Sequence, residues 1–128
     1  MVKKTTLGIS VSVEVSYQES FSRPLYSEYL FAYRITIENN AAVPMKLLRR
    51  KWKIIESNGT RRTVEGEGVV GEQPIIMPGE HYRYESAAHI NTDMGKMSGH
   101  YVMANLNNLK EHLIDIPEFH LISPSKLN

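Results

Sequence analysis

The sequence predicts an all-β fold, either an antiparallel sandwich or a barrel, with about seven or more strands. Three observations support this prediction. Apolar and polar residues alternate with a period of two in several short segments. Turn-forming residues recur roughly every ten positions. No long segment has the 3.6-residue period of an amphipathic helix.

The first two predicted strands have the clearest alternation. From Leu7 to Tyr17 the odd positions are Leu, Ile, Val, Val, Val and Tyr, whereas the even positions are Gly, Ser or Glu. The alternation resumes from Tyr29 to Ile37 after the irregular stretch "QESFSRPLYSEY". Each pattern predicts a strand with one buried face.

The third strand is predicted at residues 47–56 and leads into a hairpin. Asn58-Gly59 favours a two-residue type I′ turn, which needs positive φ at both central residues. This turn would place Glu56 opposite Arg61, as an oppositely charged cross-strand pair. The partner strand would then enter a glycine-rich segment.

The rest of the chain predicts a type II turn at Pro78-Gly79 and several further strands. These strands comprise residues 81–87, 99–105 and 111–116, with a last extended piece between Pro117 and Pro124. The aromatic residues expected in the core are Trp52, Tyr29, Tyr33, Tyr82, Tyr84 and Tyr101.

Length and composition predict one domain over residues 1–128, with a core at about 7–122 and short flexible termini. The net charge of +1 provides no general attraction to nucleic acid or to an anionic membrane. The chain has no cysteine, which excludes thiolate chemistry and disulfides. Without a signal peptide or a long apolar run, the expected location is the cytoplasm.

The segment "VEGEGVVGEQP" has a G-x-G-x-x-G spacing at Gly66, Gly68 and Gly71. A dinucleotide-binding fingerprint needs a buried strand before the glycines and a helix after them. Here Pro74 and Pro78 follow the glycines, and the preceding residues are charged. The sequence therefore predicts no Rossmann-type site.

A phosphate site without a helix is the weaker alternative, since backbone N–H groups in a glycine-rich bend can converge on an anion. The predicted register places Glu67 opposite Arg50 and Gly68 opposite Arg49. The candidate phosphate-binding residues are Gly66, Gly68, Gly71, Arg49, Arg50, Arg61 and Arg62. In the favoured interpretation, the glycines only permit bulges or close packing.

No catalytic or metal-binding motif is present. The five histidines are at least eight residues apart and form no metal-binding pair, so no metal ligand is assigned. No G-x-S-x-G nucleophile motif occurs, and the G-x-G-x-x-G spacing does not qualify as a cofactor-binding motif. The sequence therefore predicts a protein that is not an enzyme.

Several segments resemble the ApaG family: "FAYRITIEN", "LLRRKWKIIESNG", "VEGEGVVGEQPIIMPGEHYRYESA", "GKMSGHYVM" and "IDIPEFHLISP". The resemblance covers roughly residues 10–125 and implies an immunoglobulin-like, fibronectin type III-like antiparallel sandwich. The family is named for its association with a diadenosine tetraphosphate hydrolase and is linked to cobalt and magnesium tolerance. Similar eukaryotic domains are fused to an F-box protein and to a DNA polymerase delta-interacting protein.

Three functions follow as expectations. The first is a non-enzymatic module for an unidentified protein partner, with homodimerisation left open. The second is a binder of nucleotides or pyrophosphate, such as dinucleoside polyphosphates, through the glycine segment. The third is a role in cobalt and magnesium homeostasis. Membranes and specific nucleic acid sequences are not expected partners.

Overall fold

A computed structural model of the protein describes residues 1–127 and contains nine β-strands in this part of the chain. The strands are β1 (Val2–Thr6), β2 (Ile9–Tyr17), β3 (Tyr29–Asn39), β4 (Met45–Glu56), β5 (Arg61–Glu67), β6 (Ile75–Ile76), β7 (His81–Ile90), β8 (Met94–Asn105) and β9 (Glu111–Ile122). Short 3₁₀ turns occur at Glu19–Phe21, Pro24–Tyr26 and Pro124–Leu127. No helix within residues 1–127 is long and apolar enough to cross a membrane.

The strands form two antiparallel sheets that pack face to face. The first sheet has the order β1-β2-β3-β7, and the second has the order β5-β4-β8-β9, with β6 also paired to β4. Apolar side chains from both sheets form one core between them. The predicted all-β sandwich is confirmed.

The predicted alternation is confirmed in β3 but only in part in β2. In β2 Ile9, Val11 and Val13 are buried as predicted, whereas Ser10 and Ser12 are buried as well. Phe31, Ile35 and Ile37 are buried, as predicted for one face of β3. The prediction was wrong at Leu7, which is 65% exposed because it lies in the β1–β2 turn with a φ of 51°. The sequence also gave no sign of β1, which pairs with β2 along its whole length.

The predicted turn at Asn58-Gly59 was wrong in type and length. The Gly59 N–H donates to the carbonyl of Glu56, and the Glu56 N–H donates to the carbonyl of Thr60. Gly59 has a φ of 86°, whereas Asn58 is not in the left-handed region. The connection is therefore a three-residue loop, a type I turn followed by a left-handed glycine.

This longer loop shifts the hairpin register by one residue. Arg61 pairs with Ile55, so the predicted pairing of Glu56 with Arg61 was wrong. The Glu56 carboxylate is instead buried and accepts a hydrogen bond of 2.6 Å from the Asn91 N–H. Glu67 accordingly lies opposite Arg49, not opposite Arg50 as predicted.

Two irregularities reverse which side chains face the core. The register between β4 and β8 shifts between Leu47 and Arg49, so buried positions change from odd to even numbers along β4. In β9 a similar shift lies at Pro117, which is compatible with a strand at a bulge because it has no N–H to donate. The two pieces predicted around Pro117 are therefore one strand.

The core confirms the expected place of the tryptophan. Trp52 is 3% exposed, and its ring lies edge-on to Tyr33 and Phe119, with centroid distances of 5.5 and 5.8 Å. Tyr84 and Tyr101 are also buried, and their hydroxyls are hydrogen-bonded to each other across the two sheets. Tyr29 and Tyr82 are partly buried against the same core.

The two sides of the sandwich differ. On one side β1 lies against β9, where the Lys4 ammonium is 3.0 Å from the Asp115 carboxylate. On the other side the edge strands are β7 in the first sheet and β5 in the second. The side between β5 and β7 is open and carries the charged residues described next.

Candidate functional site

The glycine loop, defined here as residues 64–74, contains a second hairpin. The Val69 N–H donates to the carbonyl of Glu72, and the Glu72 N–H donates back to the carbonyl of Val69, at 2.8 and 2.9 Å. Val70 and Gly71 between them have φ values of 44° and 80°. Positive φ at both central residues defines a type I′ turn, here with a valine where asparagine or glycine is usual.

Close packing explains why the residue at position 68 is glycine. Its φ is 60°, and a Cβ at this position would lie 2.0 Å from the carbonyl oxygen of Glu72. Only glycine can occupy such a position without moving the backbone. The loop continues into β6, so the prediction that no helix follows the glycines is confirmed within the described chain.

Several N–H groups of the glycine loop already have backbone partners. The Gly68 N–H donates to the carbonyl of Leu48 at 2.8 Å, and the N–H groups of Val69 and Glu72 are used in the turn. These three donors are therefore committed to the fold. Phosphate binding by the loop stays a prediction, and this geometry gives it little support.

The four candidate arginines do not converge. Arg50 and Arg62 lie on the core-facing side of their strands, beside Trp52 and Ile54, whereas Arg49 and Arg61 lie on the outer face. On the outer face, the Arg49 guanidinium donates to the Glu111 carboxylate at 2.7 Å.

Arg50 joins the glycine loop to the body of the domain. Its Nη1 donates to the carbonyls of Glu67 and Gly68 at 3.1 and 2.9 Å. The guanidinium lies over Gly66, where an added Cβ would be 2.8 Å from Nη1. Gly66 therefore makes room for the arginine, which holds the loop in place.

Arg50 and Arg62 line a groove that we call the open-edge groove. It lies between β4 and β5 on one side and β3 and β7 on the other. Its lining residues are Tyr33, Arg50, Trp52, Ile54, Arg62, Val64, Ser86, Ala87, Ala88, His89 and Met97. The Arg62 Nη2 crosses this opening and donates to the carbonyl of His89 on β7.

Buried tyrosines lie near Arg50. Burial raises the pKa of Tyr84 and of Tyr101, and the nearby Arg50 charge lowers each pKa by a smaller amount. Burial also raises the pKa of Tyr33. These hydroxyls are therefore protonated at neutral pH and act as hydrogen-bonding groups rather than as bases.

In the described part of the chain the histidines lie near single acidic residues at most; for example, His100 pairs with Asp115 across β8 and β9. No group of three or more His, Asp or Glu side chains there is placed to hold a metal ion. Direct binding of cobalt or magnesium stays a prediction.

A surface that the sequence did not identify lies in the connection between β2 and β3. This apolar loop, defined as residues 18–28, exposes Phe21, Leu25 and Tyr26 at 71%, 97% and 71%. The alternation ends at Tyr17, so the pattern predicted only an irregular segment. Three large apolar residues within six positions were the available signal.

The apolar loop is held in one conformation by polar contacts. The Arg23 guanidinium forms two hydrogen bonds, of 2.8 and 3.0 Å, to the Glu28 carboxylate. The backbones of these two residues also bond in both directions. The Ser22 hydroxyl donates to the carbonyl of Gln18 and accepts from the Leu30 N–H.

The sequence pattern of the ApaG domain family matches residues 19–105 of the chain. The chain belongs to the ApaG family. It is 44% identical over 120 residues to Protein ApaG of Escherichia coli O1:K1, covering 94% of this chain and 95% of that protein. The Protein ApaG of Shigella boydii serotype 18 matches with the same identity and coverage.

Solved structures agree with this family assignment. A Bordetella pertussis protein described as ApaA is similar, with a TM-score of 0.87, 34% identity, and 91% and 94% of the two chains covered. A part of Bacteroides uniformis β-glucuronidase 2 has a TM-score of 0.55 at 14% identity, covering 84% of this chain and 12% of that one. At that identity the likeness shows the fold alone.

Proposed function

We propose that this ApaG-family chain is a non-enzymatic protein-interaction module and that the apolar loop contacts the partner. The observation that carries the proposal is the exposure of Phe21, Leu25 and Tyr26 on a loop with a fixed conformation. Exposed aromatic and aliphatic side chains with no role in the core typically mark interaction sites.

The fixed conformation favours binding. A loop that is already ordered loses little conformational entropy when a partner covers it. The Arg23 guanidinium lies 5.0 Å from the centroid of the Tyr26 ring, which restrains that ring as well. The three side chains are therefore presented together, and a partner with an apolar pocket rimmed by polar groups would match them.

The test is capture of partners from a cell lysate with immobilised wild-type protein and a Leu25→Ser/Tyr26→Ser variant. A partner recovered in stoichiometric amount with the wild type should be lost with the variant. The matched control is Leu109→Ser, because Leu109 is 74% exposed in the β8–β9 turn at the other end of the sandwich.

The control must retain the partner, and all three proteins must have the same melting temperature. A partner that binds the loop variant as well as the wild type would contradict the proposal. So would equal losses with the loop variant and with the control.

The phosphate alternative from the sequence has one favourable observation, the placement of Arg50 beside the glycine loop. It predicts that pyrophosphate or a dinucleoside polyphosphate shifts the backbone amide signals of residues 66–71 in an NMR titration. Calorimetry with Co²⁺ or Mg²⁺ tests the metal alternative in the same way, through a defined stoichiometry.

A further inference from the structure

The open-edge groove combines uncompensated positive charge with an apolar floor. Six ion pairs link side chains in the described part of the chain, and neither Arg50 nor Arg62 belongs to any of them. Each of these arginines donates only to backbone carbonyls there. No carboxylate lines the groove.

The nearby acidic residues of β5 face away from the groove. Glu65 forms an ion pair of 3.3 Å with Lys51 on the outer face of the sheet. Glu67 lies opposite Arg49, also on the outer face. The guanidinium groups of Arg50 and Arg62 are therefore available to a ligand, because each has more N–H donors than the backbone carbonyls use.

The spacing of the two arginines indicates the shape of that ligand. Arg62 pairs with Ile54 on β4, which is four residues from Arg50 and hence about 13 Å away along the strand. Val64 and Trp52 form the floor between them, and the Val64 side chain is 39% exposed. An extended ligand can follow this backbone spacing from one arginine to the other.

We propose that the open-edge groove binds an extended acidic segment of a partner protein, with carboxylates four residues apart. Residues i, i+2 and i+4 of an extended chain face the same way and cover about 13 Å. The outer two would then reach Arg50 and Arg62, and an apolar residue at i+2 would contact Val64. None of the residues that line this groove belongs to the apolar loop, so either proposal can fail alone.

The charges of the edge strands agree with an acidic segment lying between them. On β5 the Arg62 side chain lies on the groove side, and the single carboxylate of β7, that of Glu85, is paired with Arg34. An acidic segment is attracted to Arg50 and Arg62, whereas a neutral or basic segment gains nothing from these two arginines.

The test uses the peptide Glu-Thr-Val-Thr-Glu, with acetyl and amide ends, and its Gln-Thr-Val-Thr-Gln counterpart. We expect saturable NMR shifts at the amides of residues 62–64 and 86–89 with the acidic peptide, weakened by salt. The glutamine peptide should bind about tenfold more weakly or not at all, because it lacks the charge-assisted hydrogen bonds.

The variants separate the groove from general electrostatics. Arg62→Gln should weaken binding of the acidic peptide about tenfold. Arg61→Gln removes the same charge from the next residue, on the outer face, and should change the affinity less than about twofold because exposed charges are screened. Both variants should retain the wild-type amide dispersion, which shows that they are folded.

Three results would overturn the proposal. The first is equal weakening by the Arg61 and Arg62 variants. The second is the absence of peptide-induced shifts in the folded wild type. The third is saturable binding of pyrophosphate at the same amides with no binding of the acidic peptide, which would make the groove a phosphate site.

Discussion

At the residue scale, the glycine loop shows why residue preferences alone mislead. Asn58-Gly59 has the preferred composition of a type I′ turn but does not form one, whereas Val70-Gly71 does. A β-branched residue with φ at 44° is strained, at a cost on the order of 1–3 kcal/mol. The surrounding contacts impose this turn, and the sequence does not display those contacts.

Gly68 and Gly71 offer a matched pair for testing close packing. Both have positive φ, but only Gly68 has backbone at the position of a Cβ, whereas nothing lies within 4 Å of one at Gly71. Gly71→Ala should lower the free energy of unfolding by about 1 kcal/mol, from strain alone. Gly68→Ala should lower it by about 3 kcal/mol or more, because overpacking adds to strain.

Urea unfolding of the two variants and the wild type measures both values. Equal losses of stability would show that the Glu72 carbonyl can move away without cost. That outcome would remove close packing as the reason for glycine at position 68.

At the element scale, the sequence predicted the strands that lack irregularities. β3 keeps its period of two in the folded protein, and in β2 the predicted face is buried at Ile9, Val11 and Val13, so these buried faces were readable. In β4 and β9, shifts of register reverse the buried face within one strand. Such a reversal looks like the end of a pattern, which is why residues 111–122 were divided at Pro117.

The β4–β5 register also determines which of the candidate phosphate-binding residues lie next to each other. A difference of one residue in the β4–β5 loop moved Glu67 from Arg50 to Arg49. The four arginines lie on two faces because adjacent residues of a strand, here 49–50 and 61–62, point to opposite sides. The open-edge groove could not be predicted either, since it joins strands from both sheets. Its residues come from β3, β4, β5, β7 and β8.

The Tyr84–Tyr101 pair predicts how stability changes at high pH. Burial raises the pKa of both hydroxyls above the ordinary value of 10.0, so the folded state disfavours the phenolates. The stabilising contribution is complete below pH 10 and is lost as pH rises above it, where the unfolded chain ionises first. The slope approaches about 1.4 kcal/mol per pH unit for each tyrosine.

Denaturant unfolding at pH 8–11 tests this dependence. A Tyr84→Phe/Tyr101→Phe variant removes both hydroxyls together, so no buried hydroxyl of the pair is left without its partner. Its stability should fall less steeply above pH 10 than that of the wild type. Parallel curves would show that the pair does not cause the loss.

At the scale of the whole molecule, the sandwich has one closed side and one open side. β1 closes one side through its pairing with β2 and the Lys4–Asp115 ion pair. The sequence placed the core at residues 7–122, because β1 has exposed side chains and hence no buried period to detect. Backbone hydrogen bonds to β2 hold β1 in place, and the amino-acid composition of a segment does not reveal such bonds.

Removal of residues 2–6 should therefore weaken the fold and expose the edge of β2. We expect a decrease of roughly 2 kcal/mol or more in the free energy of unfolding, from several lost backbone hydrogen bonds. We also expect concentration-dependent association, since an uncovered edge can pair with another chain. Urea unfolding and size-exclusion chromatography at increasing concentration measure these effects.

A truncated protein that stays monomeric and equally stable would show that β1 is dispensable. The Lys4→Ala variant serves as the control. It removes an exposed ion pair, worth about 1 kcal/mol or less, and leaves the backbone pairing intact.

Arg50 contacts both the glycine loop and the open-edge groove, and this double contact has a thermodynamic consequence. Anything that draws the Arg50 guanidinium away from the carbonyls of Glu67 and Gly68 must also loosen residues 66–71. Linkage makes the effect reciprocal: a change that frees the loop alters occupancy of the groove by the same factor. Hydrogen exchange at the Gly68 amide would then report whether a ligand of the groove competes with these two carbonyls for Arg50.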